Sequence, residues 1–364
     1  MARNCRCLET KTRRLLSKQV SPGPELLFDP ANAHLRSVSS RVHAYSAVAV
    51  AAIAGIIWPH ATAALLGPVL VTGLLSLGVA HGACDHCVLP AYRQLRRSGW
   101  RYLLLFSAGY LGLAGATGLV WYCWPGLSAG LFFGLTVWHW GSADAPAHRQ
   151  PGVWVAHSLL RGALLLAVPA WWWPMQTAHH VNGLLGLAGA APIPTRWTGM
   201  LGPAVAGGHL VLWGYFAWHR EFARGLRDAG EFLLLTGILV ALPPLLALGV
   251  YFVFWHSWQH VRRLAPLVVS AEMNVANLSE APLRELLLFG RKALPALVIS
   301  LAMGAFAFIL GGAARPLGEA WLALAVMGAS VITLPHALLV TLVMDTAKWS
   351  PPGAFMEQPG NNNQ

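Results

Sequence analysis

His256 and His260 lie four residues apart in Tyr251-Phe-Val-Phe-Trp-His-Ser-Trp-Gln-His-Val-Arg-Arg263. On a helix, residues at that spacing share one face, about 6 Å apart along the axis. Two imidazoles so placed can grip one metal ion. The segment is apolar enough to be embedded in a membrane, where polar side chains are costly and tend to serve a function. The alternative is a pair of interfacial histidines that anchor a helix end. Three more histidines have comparable surroundings: His81 in Gly78-Val-Ala-His-Gly-Ala-Cys-Asp-His86, His139 in Thr136-Val-Trp-His-Trp-Gly141, and His336 in Thr333-Leu-Pro-His-Ala337. A set of imidazoles suits iron, copper, zinc or nickel. Asp85, four residues after His81, either holds the second ring nitrogen of a ligand or caps a helix end. Pro335 disturbs the helix before His336 and could aim that ring at the site.

The elements that must position these residues are membrane helices. The chain is 56% hydrophobic and 11% charged, with mean hydropathy +0.53; soluble domains carry roughly 25% charged residues. Its 17 Trp and 7 Tyr fit interfacial aromatic belts. Period-two alternation is absent, which argues against a β-barrel. The expected fold is an all-α polytopic bundle. Apolar stretches fall at about 42–58, 61–80, 102–124, 126–142, 153–173, 200–218, 293–312 and 319–344, each near the ~20 residues of a crossing. A basic tail over 1–40 precedes this 41–347 domain, and a disordered Pro/Gly/Asn-rich tail over 348–364 follows it. The five cysteines form no disulfide framework. Cys84 and Cys87 read as small apolar filler or as a redox pair.

Residues 231–263 are too long for one ordinary span and short for two, with Pro243-Pro244 near the middle. Charge decides between the two readings. If the prolines separate two helices, the chain has about ten segments. All of its 25 Lys/Arg except Arg161, Arg196 and Arg315 then fall on the cytoplasmic side or in the N-terminal tail. A single long helix would send Arg262, Arg263, Arg284, Arg291, Lys292 and Lys348 outside. The two-helix reading is favoured, with both termini cytoplasmic. It also brings His81, His139, His256, His260 and His336 to one depth. The net charge of +11 is then a topology signal, and no nucleic-acid partner is expected. Carboxylates are nearly missing from the expected spans. Asp85, Asp144 and Asp345 sit at span ends, and the other acids are assigned to loops or termini. His157 and His209 have no evident partner, and His179 and His180 are assigned to a loop or span end.

Several motifs together resemble the Brp/Blh family of membrane β-carotene 15,15′-dioxygenases. They are His81-Gly-Ala-Cys-Asp85, Trp138-His-Trp-Gly141 followed by Asp144, Arg161-Gly with Pro169, Trp255-His-Ser-x-x-His260 and Leu334-Pro-His336. The resemblance runs in order from about residue 75 to 345. It implies cleavage of the central double bond of β-carotene by O₂, giving two retinal molecules. It also implies non-haem Fe(2+) held by His81, His139, His256 and His260, in the inner membrane of a bacterial cell. Asp85 and His336 are then possible supporting residues. Trp138, Trp140, Phe252 and Trp255 are candidates for a polyene tunnel among membrane lipid. Two other readings stay open: a lipid or carotenoid hydroxylase or desaturase, and a transporter or assembly factor for a retinal protein.

Overall fold

The computed structural model describes residues 30–88, 99–187, 189–192, 199–269, 282–312 and 320–349. Most of the expected basic tail, the basic loop around 93–97 and the C-terminal residues from 350 onward lie outside the described residues. Every regular element among the described residues is helical.

Proline starts many of these helices. Pro59, Pro125, Pro151 and Pro244 each stand in the first turn, where the missing N–H costs nothing. The first helix, α1, spans Pro30–Ile57 and reaches back into the stretch read as tail. Helix α2 (Pro59–Gly73) runs through a π turn (Leu74–Gly78) into α3 (Val79–Ala83), which a 3₁₀ turn over Asp85–Cys87 follows. Next come α4 (Gly99–Cys123), α5 (Pro125–Asp144), α6 (Pro151–Trp172) and α7 (Pro174–Leu187). Helix α7 places His179 and His180 on a helix instead of in a loop.

Helix α8 (Leu201–Trp218) ends on Arg220, whose φ of 59° turns the chain. Its neighbour Glu221 donates its N–H to the Phe216 carbonyl at 2.7 Å, a Schellman-type stop. Helix α9 (Phe222–Ala241) follows and halts at Leu242, which is extended. Pro244 then opens α10 (Pro244–Val250), which continues as a π segment (Tyr251–Ser257) into α11 (Trp258–Val269). The doubtful region is therefore two helices broken at the proline pair, as the charge distribution favoured. Helices α12 (Pro282–Gly312) and α13 (Ala320–Leu339) complete the bundle. A π turn (Val340–Met344) and a short α14 (Thr346–Trp349) close it, so the last helix extends into the expected tail.

Among the described residues, five helical stretches are long and apolar enough to cross a membrane: Pro59–Cys87, Gly99–Cys123, Pro151–Trp172, Leu283–Met303 and Ala325–Met344. The other expected segments are also helical, but shorter or more polar. Large apolar side chains such as Leu65, Leu105, Val211 and Ile299 cover the outside. That outer surface is suited to lipid.

Glycine sets the tightest crossings. A Cβ on Gly141 would lie 1.8 Å from the Ser158 carbonyl oxygen, and one on Gly162 would lie 1.8 Å from that of Val137. Helices α5 and α6 thus touch backbone to backbone, the small-residue packing typical of membrane helices. A second close crossing joins the α2–π–α3 unit to the π segment after α10. There, a Cβ on Gly73 would meet Val253 at 2.6 Å, and one on Gly78 would meet Phe252 at 2.9 Å. The main apolar core lies where α1, α6, α9, α10 and this π segment meet, and Val48, Leu165, Ile238 and Val250 are among its members.

Candidate metal centre

The histidines singled out in the sequence gather in one buried region, each from a different element: nitrogens of His81, His139 and His256 form the closest group, and His260 and His336 lie beside it by ring contact. His81 comes from α3, His139 from α5, His256 from the π segment, His260 from α11 and His336 from α13. All five are buried. The ring centroids of His81 lie 5.7, 5.4 and 4.8 Å from those of His256, His260 and His336. His139 lies 5.0 Å from both His256 and His336. His260 lies 5.3 Å from His336, and His256 and His260 stand nearly parallel at 6.3 Å. One nitrogen from each of His81, His139 and His256 lies within 4.8 Å of the others. Metal–imidazole bonds of about 2.0–2.1 Å allow nitrogens that share one ion to lie up to about 4.2 Å apart, so the triangle is close to, but slightly looser than, what one ion would draw together.

The π turns matter to this convergence. An i→i+5 turn widens the helix and rotates all that follows, and such turns cluster at functional sites. His256 lies inside one, His81 follows one within three residues, and His336 stands four residues before a third.

Unpaired ring nitrogens give the site its chemical character. His139, His256 and His260 each bury both nitrogens without a hydrogen-bond partner, and His336 buries Nε2 in the same way. Burying a polar atom unpaired costs about 1–3 kcal/mol. One ion at this place could take one lone pair from each ring, which would leave the second buried nitrogen of His139, His256 and His260 still without a partner. The donor set is neutral nitrogen, which fits a first-row transition metal. His81 is oriented through Nδ1, which bonds the Gly78 carbonyl. Asp85 is not a helix cap: no side-chain bond caps its turn, and its Oδ2 accepts from His336 Nδ1 at 2.8 Å.

The proposed tunnel residues divide. Phe252 stacks on His256 at 5.8 Å and meets His81 edge-on at 5.5 Å. Trp140 lies 6.0 Å from His256. Trp138 instead packs on Trp154 and donates its indole N–H to the Thr341 hydroxyl at 3.0 Å. Trp255 is buried against Tyr45 and Tyr251 in the main core. Cys84 is fully buried among apolar side chains, and the Cys87 thiol lies 3.2 Å from His86 Nε2.

A second buried polar cluster was missed by sequence reasoning. Arg161 Nη1 pairs with Asp228 Oδ1 at 2.8 Å, and its Nη2 pairs with Glu231. His157 bonds Asp228 Oδ1 at 2.7 Å, the Trp213 indole N–H donates to Asp228 Oδ2 at 2.7 Å, and the Tyr45 hydroxyl donates to Glu231. The expectation that such acids lie in loops is corrected here, since Asp228 and Glu231 are buried within α9. The lone arginine in an apolar span was the available signal, because a buried guanidinium requires carboxylate partners. At the end of α5, the carbonyls of Ser142 and Ala143 accept from Lys348 Nζ at 2.6 and 3.1 Å. Asp345 holds both Lys348 and Arg263, at 3.1 and 2.6 Å.

Comparison with known proteins identifies the family. A family model described as beta-carotene 15,15′-dioxygenase matches residues 72–344, a stretch that holds all five histidines. The chain is 28% identical over 291 residues to a protein named probable beta-carotene 15,15′-dioxygenase Blh from Halobacterium salinarum, covering 75% of this chain and 82% of the relative. It is 27% identical over 198 residues to a beta-carotene 15,15′-dioxygenase from an uncultured marine bacterium, covering 50% and 64%. It is 24% identical over 217 residues to a probable beta-carotene 15,15′-dioxygenase Brp, also from Halobacterium salinarum, covering 54% and 57%. No solved structure matches the chain.

Proposed function

We propose, on the premise that this chain belongs to the beta-carotene 15,15′-dioxygenase family, that it cleaves the central double bond of β-carotene with O₂ to give two molecules of retinal. The enzyme is a carotenoid cleavage dioxygenase. The observation that carries the finer reading is the buried group of His81, His139 and His256, whose ligand nitrogens lie within 4.8 Å of one another, with the unpaired ring of His260 5.4 Å from that of His81. His81, His139, His256 and His260 would hold Fe(2+), and that ion would supply the O₂ chemistry. The reaction balances without a reductant, because each carbon of the broken double bond takes one oxygen atom of O₂.

The remaining work falls to the protein. β-Carotene is an apolar rod about as long as the ~30 Å bilayer core, so a site inside a membrane bundle meets its substrate where it dissolves. Phe252 and Trp140 offer aromatic faces beside the histidines, where a polyene can lie. Holding the central bond at the site selects which bond breaks, a matter of positioning. The distribution of Lys/Arg supports cytoplasmic termini.

The test is purification in detergent, an iron assay, and chromatography of products from β-carotene in air. Retinal from iron-loaded protein is expected. His256→Ala and His260→Ala should abolish product while leaving folded protein. Full activity after exhaustive chelation would refute the metal reading, and intact activity in both variants would refute the ligand assignment.

A further inference from the structure

His336 is more central than a supporting residue needs to be. Its ring lies 4.8, 5.0 and 5.3 Å from His81, His139 and His260, and two of those gaps are no wider than any other between the clustered imidazoles. Its Nδ1 is taken by Asp85 Oδ2 at 2.8 Å. A carboxylate accepts at that distance from an N–H, so Nδ1 carries the proton and Nε2 keeps its lone pair. Nε2 is buried and has no hydrogen-bond partner. A carboxylate on one ring nitrogen with a free lone pair on the other is the arrangement of a metal-bound histidine.

Asp85 is itself held. The Tyr110 hydroxyl, on α4, stands 3.3 Å from the same Oδ2 and 3.4 Å from the Ile332 carbonyl on α13. Tyr110 thus bridges the turn that carries Asp85 and the helix that carries His336. A purely structural His–Asp pair would explain Nδ1 but would leave the buried Nε2 without a partner.

We infer that His336 is a fifth imidazole ligand of the metal, through Nε2, and that Asp85 is its positioning residue. This rests on the four-histidine reading above and extends it. Five imidazole donors leave fewer positions for outside ligands than four.

The experiment is titration of the chelator-stripped, detergent-purified full chain with Co(II), whose absorption bands report the number and kind of its ligands. Wild type should bind Co(II). His336→Gln should weaken binding at least as much as Asp85→Asn, for which about a 10–100-fold loss is expected, and both should alter the bands. Thermal unfolding without metal verifies that each variant is folded. A folded His336→Gln protein with wild-type affinity and bands would overturn the inference and leave the other four histidines standing. Should that variant fail to fold, Asp85→Asn decides by the same two readings, and wild-type behaviour there overturns the assignment. Wild-type protein that takes up no Co(II) would overturn this inference and the four-histidine reading together.

Discussion

Tyr251 donates its hydroxyl to Asp144 Oδ2 at 2.8 Å, tying the element that carries His256 to the end of the helix that carries His139. Each partner lies five positions from its histidine, so the bond helps fix how the two histidine-bearing elements lie along each other. Tyr251→Phe keeps the ring's packing and removes only the tie. The variant should keep its metal and lose about 10–100-fold in retinal formation, the scale of a small misplacement at a reacting centre. An unchanged rate would show that the surrounding packing suffices.

The glycine crossing of α5 and α6 leaves no room for a methyl group. Gly162→Ala should therefore force the helices apart and give protein that aggregates or unfolds in detergent. Gly130→Ala is the control, because nothing stands within 4 Å of a Cβ there and alanine favours a helix over glycine by about 0.5–1 kcal/mol. Size-exclusion profiles and thermal midpoints compare the two. Equal behaviour would contradict the backbone contact.

Arg161 is paired with both Asp228 and Glu231. Arg161→Ala strands two buried acids and should destabilise the fold by about 3–5 kcal/mol, the cost of breaking a buried pair from one side. Adding Asp228→Asn and Glu231→Gln should recover part of that loss. A triple variant no more stable than Arg161→Ala would mean that the arginine acts through packing.

Burial, aided by the neighbouring Arg263 guanidinium, pushes the Lys348 ammonium down to about 8. The folded protein then sheds this proton before the unfolded chain does, whose lysine titrates near about 10.4. Between those values the unfolded state binds more protons, so raising the pH stabilises the fold through this group. Wild type should gain stability relative to Lys348→Gln as the pH rises through that window, with a constant difference below it. Thermal midpoints across the range measure this, and a flat difference throughout would refute the shift.

The sequence made some of this legible and hid the rest for physical reasons. Histidines in apolar runs stand out because burial makes them expensive, so His81, His139, His256, His260 and His336 were found together. The break at Pro243-Pro244 was legible because proline acts locally. Asp228 and Glu231 were not, since they sit beside Arg224 and Arg227 and look like loop acids; only α6 packing against α9 reveals their partner. Trp255 was expected beside the polyene because it precedes His256. It faces Tyr45 instead, because adjacent positions on a helix point different ways and a π turn shifts the faces further.

The span of chain between Asp85 and His336, 251 residues apart, has a bearing on biogenesis. A ribosome makes His81 early and His336 near the end, and the site draws on five elements in between and at both ends. A nascent chain that stops before α13 lacks His336. With His336 as a ligand, full metal binding would wait for α13, and a truncation that removes α13 and all that follows should yield chains that bind the metal more weakly.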